Sequence, residues 1–151
     1  MRPSVEEQLL GTCRILEKVV APCVADPYAR TILDGLIGNL RMLTGALPAV
    51  PPFLDSDNRA TAALLESFQS VVAAALAASI TQALARPEPA GTDTDALAQR
   101  NDELRELLSQ ALYSTGLTPA LRTAAQEHMS VRAARAPMRY VSTSTPTAKP
   151  N

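Results

Sequence analysis

The sequence predicts an all-α protein, a helical bundle of four to five helices followed by a flexible C-terminal tail. Aromatic residues make up only 3% of the chain and tryptophan is absent, whereas strands draw on aromatic and β-branched side chains. Alanine and leucine, both strong helix formers, supply most of the apolar residues. Apolar positions recur every three or four residues behind recognisable helix caps, the period of an amphipathic helix.

The first helix opens on Ser4, with Glu7 three residues on as a capping box. Leu9, Cys13, Leu16, Val20 and Cys23 form its apolar stripe, and Pro22 bends or ends it because proline lacks a backbone donor. Asp26 and Pro27 open the second helix as N-cap and first helical residue. It is expected to run to about Thr44, with Tyr28, Ile32, Leu33, Leu36, Ile37, Leu40 and Leu43 facing inward and Gly45 as the stop. The proline-rich LPAVPPFL, residues 47–54, reads as an extended connector. Asp55, Ser56 and Asp57 then offer caps for one long third helix to about Arg86, roughly 40 Å at ~1.5 Å per residue. Its run VVAAALAA is apolar all round, as in a central buried helix.

RPEPAGTD, residues 86–93, is a loop by its Pro and Gly content. Thr92 or Asp93 caps a fourth helix carrying Leu97, Asn101, Leu104, Leu108 and Ala111 in heptad alternation, ended by Gly116. Thr118 and Pro119 repeat the cap-plus-proline start for a fifth helix that fades near Arg135. The expected organisation is one domain over residues 1–135 and a Ser/Thr/Pro-rich tail over 136–151.

At 151 residues the chain is long enough to bury a core without metals or disulfides. Two cysteines, no CxxC and a single histidine give no metal-ligand spacing. The apparent lack of a signal peptide and a cysteine framework makes a reducing cytoplasm the expected compartment. The net charge of −1 is unevenly spread: residues 51–119 carry nine acids and four bases, and residues 120–151 carry five bases and one acid. That split suits docking of the acidic middle or the basic C-terminal end to a partner or to each other, while a chain neither basic nor aromatic is a poor nucleic-acid binder. The apolar run at residues 71–78 is too short to span a bilayer.

No motif names a reaction. His128, the one histidine, has no nucleophile signal beside it and reads as a boundary histidine or a partner or ligand contact. Cys13 and Cys23 lie ~15 Å apart on one helix, beyond disulfide reach, and read as small buried hydrophobes. Gly35 and Gly38 interrupt a helix without a following Gly-Lys-Ser/Thr, so they mark a close helix approach or, with Asn39, a ligand groove. Asn101 in a heptad stripe specifies register; with Leu104 and Leu108 it marks a helix that pairs with a partner or packs in its own bundle. Arg132, Arg135 and Arg139 form a basic end that meets an acidic or phosphate surface or is solvated. No catalytic, cofactor or metal residue is assigned.

The stretch EEQLLGTCRILEKVVAPCVADPYARTILDGLIGNLRML, residues 6–43, resembles small helical bacterial proteins encoded beside aminoglycoside-phosphotransferase-like kinases and acyl-CoA dehydrogenases. The resemblance covers about the first 45 residues and rests on a helix, "DPYAR" and a second helix. It implies a helical subunit that associates with a kinase acting on hydroxyacyl-CoA and is needed for its activity. The expected function is therefore a non-catalytic interaction subunit of a separate enzyme. Alternatives are a homodimeric helical bundle or a small-molecule or acyl-chain binder.

Overall fold

A computed structural model describes residues 3–137. Among these the chain is all-α, in six helices: α1 (Val5–Ile15), α2 (Pro27–Ala46), α3 (Val50–Phe68), α4 (Ala74–Leu84), α5 (Thr94–Leu112) and α6 (Pro119–Arg135). The flexible tail expected over 136–151 falls, apart from its first two residues, outside the described residues, as does Arg139.

The caps follow the chemistry of their sequences. At α1 the Ser4 hydroxyl accepts from the Glu7 amide at 3.1 Å, and the Glu7 carboxylate accepts from the Ser4 amide at 2.8 Å, which satisfies two free helix-start donors. Asp26 accepts from the Ala29 amide at 2.7 Å, Asp93 from Ala96 at 3.0 Å and Thr118 from Leu121 at 3.3 Å. Pro27 and Pro119 stand at the first position of their helices, where a missing N–H leaves no bond unmade. Pro22 ends α1 gradually: the helix widens to a π-turn over Leu16–Val20 and tightens to a 3-10 turn over Ala21–Cys23, because residue 22 has no amide to donate back along the helix.

Two expectations are corrected. LPAVPPFL is not an extended connector: Leu47–Ala49 form a 3-10 turn and residues 50–54 begin α3. Pro51 and Pro52 fall in its first turn, the one part of a helix that tolerates proline. The expected third helix is not continuous either, for the chain turns over residues 69–73 before α4. An unbroken helix of that length would overrun α5, whose 19 residues span about 28 Å. Turning lets α4 fold back against α5. The run VVAAALAA is accordingly half-buried to exposed rather than a buried centre.

Helices α3 to α6 share one core, with Leu65, Phe68, Ile80, Leu104 and Ala111 essentially closed to solvent. Helix α3 packs along α5 and also against α6, and α4 packs on α5. Where the turn at residues 69–73 meets the α5–α6 loop, a Cβ at Gly116 would lie 2.7 Å from the Val71 carbonyl oxygen; only glycine permits that approach. Helices α1 and α2 form a hairpin of their own, and neither packs along α3–α6.

Candidate interaction site

Five exposed apolar side chains lie on α2 and the turn after it: Tyr28 (75% exposed), Ile32, Leu36 (53%), Leu43 and Leu47. The expectation that Tyr28, Ile32, Leu36 and Leu43 face inward is corrected, since the buried side of α2 is set by Ile37 and Thr44. Among the described residues α2 packs chiefly on α1 and the turns beside it, and half of its apolar residues remain in solvent.

The charges of α2 are equally one-sided. Its charged residues are Arg30, Asp34 and Arg41, which fall within an arc of about 40° at ~3.6 residues per turn. That arc lies on one flank of the buried line through Ile37, and Tyr28, Ile32, Leu36 and Leu43 lie on the other. Along α1 and its π-turn, Glu6, Glu7, Arg14, Glu17 and Lys18 occupy about a third of the circumference. Buried Cys13 marks the contact line with α2, and exposed Ile15 and Val19 lie on its charge-free flank.

The two charged flanks are on the same side of the hairpin. Arg41 reaches Glu17 across it at 2.6 Å, and the Arg30 guanidinium donates to the Ala21 carbonyl oxygen. Both contacts close over the charged flank, so the flank carrying Ile15 and Val19 adjoins the one carrying Tyr28, Ile32 and Leu36. The result is a two-helix face free of charge and turned to solvent, on which these apolar side chains are interspersed with the uncharged Gln8, Thr12 and Asn39. Large apolar side chains gathered on one exposed, uncharged face mark a docking site more often than singly scattered ones do.

Sequence reasoning placed the interaction elsewhere. Asn101, Leu104 and Leu108 are buried in this chain's own bundle, so Asn101 pairs α5 with α3 internally. Its side-chain amide donates to Asp57 at 2.7 Å and to Asn58 at 2.9 Å, and Asn58 donates on to the Leu97 carbonyl at 3.0 Å. From α6, Arg132 donates to the same Asp57 oxygen at 2.8 Å and to the Asn101 carbonyl oxygen at 3.3 Å. Arg132 is thus half-buried and held, while Arg135 is exposed. Asp57, with 4% of its side chain exposed, is neutralised where it sits.

The remaining candidates separate. Gly35, Gly38 and Asn39 are exposed on α2, and a Cβ at either glycine would meet nothing within 4 Å. Neither the expected close helix approach nor a narrow groove surrounds them. Cys13 is buried but Cys23 is exposed, against the expectation that both face inward, and both thiols are free. His128 bonds Thr61 through Nε2 at 3.1 Å. That hydroxyl–imidazole pair is not a reachable nucleophile and base, because Thr61 is fully buried and a buried hydroxyl cannot meet a substrate.

Among the described residues, no group of three or more His, Cys, Asp or Glu side chains is placed to hold a metal ion, and no helix is long and apolar enough to cross a membrane. Comparison with family models, curated proteins and solved structures finds no match to the chain. The charge-free hairpin face could have been found by plotting charges, rather than apolar residues, around α1 and α2.

Proposed function

We propose that this chain is a non-catalytic helical subunit that binds and supports a separate enzyme, docking through the charge-free face of the α1–α2 hairpin. One observation carries the reading: two paired helices turn to solvent an uncharged face that exposes Ile15, Val19, Tyr28, Ile32 and Leu36, and keep their charges on the opposite flank. A face about 30 Å long and two helices wide offers roughly 600 Å² of projected area, and two such surfaces reach the lower edge of a standard interface, ~1,200 Å² in total. The partner's surface must be apolar and uncharged as well, because a charge buried there would lose its water and gain no counter-charge.

The segment that resembles the kinase-associated proteins, residues 6–43, is the hairpin itself. An aminoglycoside-phosphotransferase-like kinase acting on hydroxyacyl-CoA is therefore the enzyme to test first. Two free thiols, one of them exposed, are compatible with a reducing, cytoplasmic setting.

The test is capture of the tagged full chain from its bacterial host, repeated with Ile32→Glu/Leu36→Glu and with Arg14→Ala/Arg41→Ala. An enzyme recovered at fixed ratio with the wild type and the arginine variant, but not with the glutamate variant, supports the proposal. Recovery of the chain alone, or equal loss with both variants, overturns it. A second reading follows from the same face: an uncharged apolar surface meets its own requirement in a second copy, and two hairpins related by a two-fold axis make a four-helix bundle. In that case the purified chain has the mass of a homodimer, and Ile32→Glu/Leu36→Glu has that of a monomer.

A further inference from the structure

The bundle holds a second feature, remote from the hairpin. Helix α6 packs more closely on α3 than on α5, and a cleft of about 370 Å³ opens between α5 and α6, within the ~300–1,000 Å³ range of small-molecule sites. Arg105, His128 and Arg132 line it together with Leu108, Leu112 and Met129. Among the described residues no acidic side chain lines it. Three nitrogen-bearing side chains beside an apolar wall, with no carboxylate among them, describe a site for an anion that carries a hydrocarbon portion.

Two of those three groups are held in place from behind. Arg132 is fixed through Nε by Asp57 and through Nη2 by Asn101, which leaves its Nη1 without a protein partner among the described residues. His128 is fixed through Nε2 by Thr61, which leaves Nδ1 in the same position. The supporting Asp57, Asn58, Thr61 and Asn101 are all buried. Polar groups in so small a core cost stability relative to apolar ones of the same volume, and orienting a site from a second layer is a known use for them. Arg105 is half-exposed, with Asp102 no closer than 4.0 Å, so its guanidinium is free to turn to a ligand.

We propose that the α5–α6 cleft binds a small ligand that joins an oxyanion, carboxylate or phosphate, to a short apolar chain. The oxyanion sits between Arg105, Arg132 and His128, where charge-assisted hydrogen bonds form, and the chain lies on Leu108, Leu112 and Met129.

Isothermal titration of the full chain with octanoate, octyl phosphate, octanol and inorganic phosphate tests this. Saturable binding of one octyl anion, at least tenfold tighter than octanol and inorganic phosphate, is expected, and the tighter of the two names the oxyanion. Arg105→Gln should weaken that binding about tenfold. Ser109→Trp, which fills the cleft from an exposed position, should abolish it. Both variants leave the Asp57 cluster intact, and an unchanged melting temperature checks that they fold. Failure of both octyl anions to bind at millimolar concentration, equal binding of octanol, or undiminished binding to Ser109→Trp would each overturn the proposal.

Discussion

Arg41 of α2 meets Glu17, one residue into the π-turn that follows α1, at 2.6 Å. That single pair establishes which side of the hairpin is charged and, by exclusion, which side is not. Both partners are partly exposed, at 56% and 26% of their side chains, so the pair marks orientation more than it supplies stability. Exposed pairs contribute about 0.2–1 kcal/mol. Arg41→Ala should therefore cost less than ~1 kcal/mol in urea unfolding and leave enzyme capture unchanged.

The Asp57 cluster should behave differently. Asp57→Ala removes the acceptor shared by Asn101 and Arg132, leaving the buried amide only Asn58 and the half-buried guanidinium only the Asn101 oxygen, with no counter-charge. Breaking a fully buried pair costs ~3–5 kcal/mol; Arg132 retains some access to water, so about 2–3 kcal/mol is expected. Chemical denaturation measures it, and a loss under 1 kcal/mol would show that the cluster does not hold α6 against α3.

The glycines give opposite signs at different places. Gly35→Ala and Gly38→Ala meet open space and replace a poor helix former with the best one, so each should stabilise the chain by up to ~1 kcal/mol. Gly116→Ala drives a methyl group against the Val71 carbonyl and should destabilise it by about 1–3 kcal/mol. Thermal melting of the three variants checks both directions at once.

Arg100 is 5% exposed, and among the described residues neither its Nε nor its Nη2 has a hydrogen-bond partner. Its carboxylates, Glu103 and Glu88, stand at 3.5 and 3.6 Å, and Glu103 already pairs with Arg86 at 2.6 Å. A buried cation so loosely paired is expensive to hold. Arg100→Met should leave the melting temperature unchanged or raise it; a marked drop would show that Arg100 ties down the loop before α5.

How much of this was legible in the sequence depends on the range of the interaction. The helix starts at Ser4, Asp26, Asp93 and Thr118 were legible because each cap satisfies amides two or three residues away. The turn at residues 69–73 was not, since nothing in VVAAALAA opposes a helix locally and only the length of the bundle requires the break. Prolines 51 and 52 misled because they break a helix interior but are accepted in its first turn. Tyr28, Ile32, Leu36 and Leu43 carry the period of a buried stripe, and periodicity cannot distinguish a stripe covered by its own chain from one left for another. Asn101 is marked in the sequence as a residue that specifies pairing, yet its partners Asp57 and Asn58 lie more than 40 positions away, and Asp57 reads there as a helix cap.

The central claim is that the uncharged flank of the hairpin is where the partner sits. The most direct measurement is the native mass of the complex formed when the purified chain is mixed with the enzyme it captures, for the wild type, Ile32→Glu/Leu36→Glu and Arg41→Ala. The account predicts one complex of fixed stoichiometry for the wild type and for Arg41→Ala, and two separate species for the glutamate variant, whose melting temperature is unchanged because both positions are already exposed. A complex that survives both glutamates, or that dissociates on loss of Arg41, would contradict it.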